Sequence, residues 1–92
     1  MSDALRVVLV DDEAPARSRL KELIADCAPQ VPATVVGEAA NGQEALDLLA
    51  SVAADLALVD IRMPQMSGIE LARHALALER PPAIIFVTGF NR

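Results

Sequence analysis

Three stretches of the chain are apolar with almost no alternation: Leu5 to Val10 reads Leu-Arg-Val-Val-Leu-Val, Leu56 to Val59 reads Leu-Ala-Leu-Val, and Ala83 to Val87 reads Ala-Ile-Ile-Phe-Val. Strands that are apolar on both faces belong in the middle of a parallel sheet, where helices cover each side. Thr34 to Glu38, Thr-Val-Val-Gly-Glu, is shorter and more polar, as an edge strand is. Helical spacings fill the gaps. After Asp11-Asp12-Glu13, Pro15 suits a first helical turn and Ala16, Leu20, Leu23, Ile24 and Cys27 share one face, so a helix is predicted that ends before Pro29. Asn41-Gly-Gln-Glu44 places a capping residue three before an acid, and Leu46, Leu49, Ala50 and Ala53 supply the predicted apolar stripe. Ser67-Gly-Ile-Glu70 repeats that signature, with Ile69, Ala72, Ala75 and Leu76 as the apolar face and Pro81-Pro82 as the stop. Strands and helices therefore alternate from β to β, which predicts one α/β domain over residues 1–92 on a parallel sheet with right-handed crossovers.

Composition narrows what such a domain does. Of 92 residues, 53 % are hydrophobic and 23 % charged, which fits a packed globular chain and not a disordered tail. The net charge of −5 argues against binding a phosphate backbone, which needs clustered Lys and Arg, so these residues are not expected to bind nucleic acid. No apolar run approaches the ~20 residues that span a bilayer. Met1-Ser2-Asp3-Ala4 lacks the basic start and apolar stretch of a secretory signal, so no membrane contact and a cytoplasmic location are expected. Cys27, the single cysteine, excludes a disulfide within the chain and is expected to be a small buried hydrophobe.

In open α/β sheets, ligands bind beyond the carboxyl ends of the strands, near the point where strand order reverses. The residues that fall there are Asp11 and Asp12 after the first strand, Asp60 after the third and Thr88 after the fourth. Carboxylates brought together repel one another unless a cation compensates them. Magnesium suits, because it takes oxygen ligands, commonly one or two carboxylates with waters and phosphate oxygens. His74 stands alone and Cys27 lies at the far end of its helix, so no transition-metal set competes. A carboxylate beside such a cation can act as nucleophile toward a phosphoryl group, and Thr88 can donate to a phosphate oxygen.

Val-Leu-Val-Asp11-Asp12-Glu13, Leu-Val-Asp60-Ile-Arg-Met-Pro64 with Gly68 following, and Ile-Ile-Phe-Val-Thr88-Gly89 resemble the three motif segments of the bacterial response-regulator receiver family, in the family's order and spacing over almost the whole chain. The resemblance implies a flavodoxin-like fold with strand order 2-1-3-4-5. It implies that Asp60 accepts a phosphoryl group from a sensor histidine kinase, and that Asp11, Asp12, Asp60 and the backbone carbonyl of Arg62 hold Mg2+. Thr88 matches the hydroxyl residue that follows the phosphate. The implied protein is a self-modifying switch of a two-component system, not an enzyme that turns over an external substrate. Asp60-Ile-Arg-Met-Pro64 and Thr88-Gly-Phe90 are most similar to receivers joined to a LytTR-type DNA-binding domain, which implies such an output domain in the parent protein.

Two departures from the family pattern stand out. The family's lysine after its fifth strand has no counterpart, since Lys21 is the only lysine and lies in the first helix. The family's fourth helix, fifth strand and fifth helix would follow Arg92, so the chain resembles a receiver lacking its last helix-strand-helix portion. The open edge of Ala83 to Val87 is then expected to pair with another copy. Two other readings compete: a pseudo-receiver or docking module that acts through protein contacts alone, and a small metal-dependent phosphatase. The complete acid set speaks against the first for the parent protein, while the missing lysine keeps it open for this chain, and the lack of a separate acid or base beside Asp60 speaks against the second. His74 is read as a surface residue, Met63 and Met66 as loop packing, and Arg62 as contributing by its backbone. Glu13 is either a partner of a metal-bound water or a solvated acid at a helix start.

Overall fold

A computed structural model of the chain describes residues 4–87. Its elements are β1 (Leu5–Val10), α1 (Ala14–Asp26), β2 (Ala33–Ala39), α2 (Gly42–Ser51), β3 (Leu56–Asp60), α3 (Gly68–Ala75) and β4 (Ala83–Val87). The strands form one parallel sheet in the order β2-β1-β3-β4. This is the flavodoxin-like arrangement that the sequence predicts, with strand order reversing between β1 and β3. β1 and β4 have the predicted bounds, β2 is one residue longer at each end, and β3 runs on to include Asp60 itself. β2 lies at an edge, as its polar composition predicts, and Val36 is an extra residue in its pairing with β1, where Val7 faces Val35 and Val8 faces Gly37.

Alternation along the strands sorts side chains onto two faces. Val8 and Val10 of β1 and Ala57 and Val59 of β3 pack with Ala45, Leu49, Met63 and Leu71 into one buried core under α2 and α3. Removing a side chain such as Leu71 from water is worth about 1.5–3 kcal/mol. On the opposite face, Leu5, Val7, Leu56 and Leu58 line an apolar groove with Leu20, Leu23 and Ile24 of α1 and with Cys27, which caps its C-terminal end. Local hydrogen bonds fix where the helices begin. The Asn41 side chain accepts from the Glu44 N–H at 2.9 Å, and Ser67 and Glu70 form a reciprocal capping box at 3.1 and 2.9 Å.

Several helical faces differ from the expectation. Cys27 is exposed, not buried, and α1 buries none of its residues. Among the described residues α1 is the only helix on its face of the sheet, so its apolar side is covered along one flank alone. On α2 the inward line is Gly42, Ala45 and Leu49, while Ala50 and, beyond the end of the helix, Ala53 are exposed. On α3 the inward line is Gly68, Leu71 and Ala75; Ile69 points outward and Leu76 is 76 % exposed. The stripe that contains glycine wins on α3 because only glycine allows the helix start to touch the end of β3. α3 also stops before Pro81, as the N–H groups of Leu76, Ala77 and Leu78 turn to carbonyls three residues back. β4 reads as a central strand but is the outer strand among the described residues, leaving Ile85 51 % and Phe86 39 % exposed.

Candidate functional site

β1 and β3 run side by side with Val10 opposite Val59, so their carboxyl ends deliver Asp11, Asp12 and Asp60 to one corner. One carboxylate oxygen from each lies within 4.8 Å of the other two. Asp11 is buried, Asp60 half-buried and Asp12 exposed, which makes a pocket of charge open on one side. Asp11 is held at three points. Its N–H donates to the Ala39 carbonyl at 3.1 Å, its Oδ1 accepts from the Glu13 N–H at 2.9 Å, and its carbonyl accepts from Arg17 Nη1 at 2.6 Å.

Asp60 sits where the last pair of β3 opens into the loop that leads to α3. Its Oδ1 accepts from the Arg62 N–H at 3.3 Å. The loop is folded back on itself. Gly68 N–H donates to Ile61 O at 2.8 Å, and Met66 N–H donates to Pro64 O at 2.8 Å around Gln65, whose φ of 72° makes a γ-turn. A Cβ on Gly68 would collide with the Asp60 carbonyl and lie 2.9 Å from Ile61 Cα, so glycine is what lets α3 start directly beneath the acid. Burial first, and then the negative charge of Asp11, push the Asp60 carboxyl above the usual aspartate value; Asp12 and Glu13 add to the rise and the Arg62 N–H opposes it.

Two cations near this corner form ion pairs with Glu38, an acid outside the cluster. Arg17 Nε pairs with Glu38 Oε1 at 2.9 Å and Lys21 Nζ with Glu38 Oε2 at 2.8 Å. These two contacts, with the lysine bond the larger cause, hold the Glu38 carboxyl below its usual value. The clustered acids therefore present hard oxygen donors with no cation paired to them through Arg17 or Lys21, a donor set that fits a magnesium-sized ion.

The structure brings together Asp11, Asp12 and Asp60 and places the Arg62 backbone in the loop beside Asp60 with its side chain exposed. Thr88 lies outside the described residues. His74 is exposed and Met63 is buried in the core, as expected for a surface residue and a loop anchor. Glu13 is exposed and serves as the N-terminal boundary of α1. Arg17 and Glu38 were not legible as parts of this corner. The sequence signal was slight: a basic residue on the first turns of α1 and an acid near the end of the neighbouring strand.

With that geometry in place, comparison with known proteins is decisive for the class. The family model of the response regulator receiver domain matches residues 7–92, and the chain belongs to that family. It is 43 % identical over 89 residues to the positive alginate biosynthesis regulatory protein of Pseudomonas aeruginosa, covering 95 % of this chain and 34 % of that protein. It is 37 % identical over 91 residues to an uncharacterised response regulatory protein of Vibrio cholerae, covering 99 % of this chain and 34 % of that protein. The chain thus spans about a third of the length of these curated relatives. Among solved structures, the signal receiver domain of the response regulator NarL from Mycobacterium tuberculosis superposes with a TM-score of 0.85 at 30 % identity, over 99 % of this chain and 71 % of that one. The fold is that of a response-regulator receiver domain.

Proposed function

We propose that this receiver takes a phosphoryl group onto Asp60 from the phosphohistidine of a sensor kinase, with Mg2+ held by the carboxylates of Asp11, Asp12 and Asp60 and by the Arg62 carbonyl. The observation that carries this reading is the meeting of three carboxylates at the end of the sheet, within 4.8 Å, while Arg17 and Lys21 are turned to Glu38. An Asp60 carboxylate oxygen attacks phosphorus; the new P–O bond forms as the P–N bond to histidine breaks, and the electron pair leaves with the imidazole. Bound magnesium supplies charge neutralisation for the phosphoryl oxygens. Asp11, fixed at its N–H, carbonyl and carboxylate, holds its ligand oxygen in place, and Thr88 is assigned the hydroxyl that follows the phosphate. The residue is modified once per signal and no external substrate turns over. A transcriptional regulatory protein of Salmonella typhi, 37 % identical over 87 residues, supports a transcriptional output for the parent protein; the LytTR-type DNA-binding domain and the cytoplasmic location belong to this proposal through the sequence resemblance alone.

The test is incubation of the chain with acetyl phosphate and magnesium chloride, followed by intact mass and peptide mapping. One added phosphoryl group on Asp60, lost in Asp60→Asn, is expected. An adduct on Asp47 or Asp55 would overturn the assignment, and no adduct would favour the docking module. Self-association through β4 is a separate part of this proposal, supported by the exposure of Ile85 and Phe86 on the strand that is outermost among the described residues. Light scattering across a concentration series should show dimers; a dilution-stable monomer would refute it.

A further inference from the structure

Arg17 occupies an unusual position for a cation beside a cation site. It reaches from the second turn of α1 to the backbone carbonyl of Asp11, with Nη1 at 2.6 Å, while its Nε lies 2.9 Å from Glu38 Oε1 at the end of β2. The side chain is 18 % exposed, and Glu38 is held from its other oxygen by Lys21 at 2.8 Å. One planar guanidinium thus ties the β1–α1 loop to β2, next to the bond in which Asp11 N–H meets the Ala39 carbonyl. The rigid planar fork of arginine fixes both contacts in one geometry, whereas the three rotatable donors of a lysine ammonium on its flexible stem would hold them less firmly. Glu38 meanwhile answers the positive charge. We infer that Arg17, neutralised by Glu38, is a positioning residue that clamps the Asp11 backbone and so sets the affinity of the acidic corner for a divalent cation. The inference rests on the metal-site reading above, and concerns how that site is held in shape.

Charge alone and positioning predict opposite signs, and that makes the test sharp. Removing a positive charge near a cation site should tighten cation binding if only Coulomb forces act. Removing a support behind a metal ligand should weaken it, commonly by roughly tenfold or more. Titration calorimetry with magnesium chloride on Arg17→Met is therefore expected to show about tenfold weaker binding than wild type. In the metal-free protein, amide hydrogen exchange at Glu13, whose N–H is bonded to Asp11 Oδ1, should accelerate in the same variant. Arg17→Lys keeps the charge and loses the fork, so it should weaken binding in the same direction; it carries the test if circular dichroism shows Arg17→Met unfolded. Equal or tighter magnesium binding by the folded variants overturns the inference. A wild-type chain that does not bind magnesium overturns the metal-site reading instead, and Glu13 exchange then decides whether the clamp exists.

Discussion

Replacing Gly68 with alanine sets two physical effects against each other. Gly68 is the first residue of α3, where alanine's better helix propensity is worth up to about 1 kcal/mol. Packing demands the opposite sign. A Cβ at this position would lie 2.9 Å from Ile61 Cα and 3.0 Å from the Asp60 carbonyl carbon, closer still to the Asp60 oxygen, and all three are backbone atoms. They cannot move apart without stretching the 2.8 Å bond from Gly68 N–H to Ile61 O that closes the loop. Forcing a methyl group into such a contact typically costs about 1–3 kcal/mol, and losing the hydrogen bond adds about 0.5–1.5 kcal/mol, so a net loss of roughly 1–3 kcal/mol remains after the helix gain. In a domain of this size each kcal/mol moves the thermal midpoint by about 4–8 °C. Thermal and urea unfolding followed by circular dichroism measure the effect. Gly37→Ala is the control: there a Cβ meets the Cδ atoms of Leu48 at 2.7 and 3.0 Å, the free end of a side chain that can change rotamer for about 0.5–1.5 kcal/mol. Gly68→Ala as stable as wild type, or no worse than Gly37→Ala, would refute the reasoning. Because the clash falls on the carbonyl of Asp60, Gly68→Ala should also slow its phosphorylation by acetyl phosphate.

Other expectations follow from the same coordinates. Leu71→Ala should cost about 2–5 kcal/mol in urea unfolding, whereas Leu76→Ala should stay within about 0.5 kcal/mol; equal losses would mean that α3 faces the sheet with its other stripe. Asp12→Ala should markedly weaken magnesium binding by calorimetry, and unchanged affinity would show that the site lies elsewhere. Since the Asp60 pKa is raised, the folded state holds that proton more tightly than the unfolded state; its contribution to metal-free stability is full below the ordinary aspartate value of 3.8 and is lost as pH rises through the folded pKa. Asp60→Asn should remove that decline and raise the metal-free midpoint at neutral pH, and parallel stability–pH curves for the two proteins would contradict the cause assigned to the shift.

What could be read in advance divides along the range of the interactions. β1, β3 and β4 were legible because an apolar run of four to six residues with no helical period has few other solutions. The starts of α2 and α3 were legible because Asn41 and Ser67 act on N–H groups three residues away. The rotation of the helices was not. Ile69, Ala72, Ala75 and Leu76 form as good a stripe on paper as Gly68, Leu71 and Ala75, only Ala75 being common to both, and the choice is made by the backbone of Asp60 and Ile61 pressing on Gly68. Cys27 is exposed for a related reason, since its burial depends on what covers the open flank of α1 and not on its own helix.

The acids of the site were legible because strand ends and parallel topology together dictate where they meet; Arg17 was not, because its partners are a backbone carbonyl six residues away and a carboxylate 21 residues away on β2. The two cases belong to one electrostatic design. Arg17 and Lys21 both satisfy Glu38, so folding gathers Asp11, Asp12 and Asp60 without giving them those counter-charges, and burial of Asp60 then raises the cost. A cation that binds the folded chain and not the unfolded one adds RT ln(1 + [L]/Kd) to stability, so the repulsion left by folding becomes affinity for whatever positive charge arrives. On this argument the acidic corner weakens the empty domain for the same reason that it can bind, and the clamp through Arg17 keeps the acids from relaxing apart in the meantime.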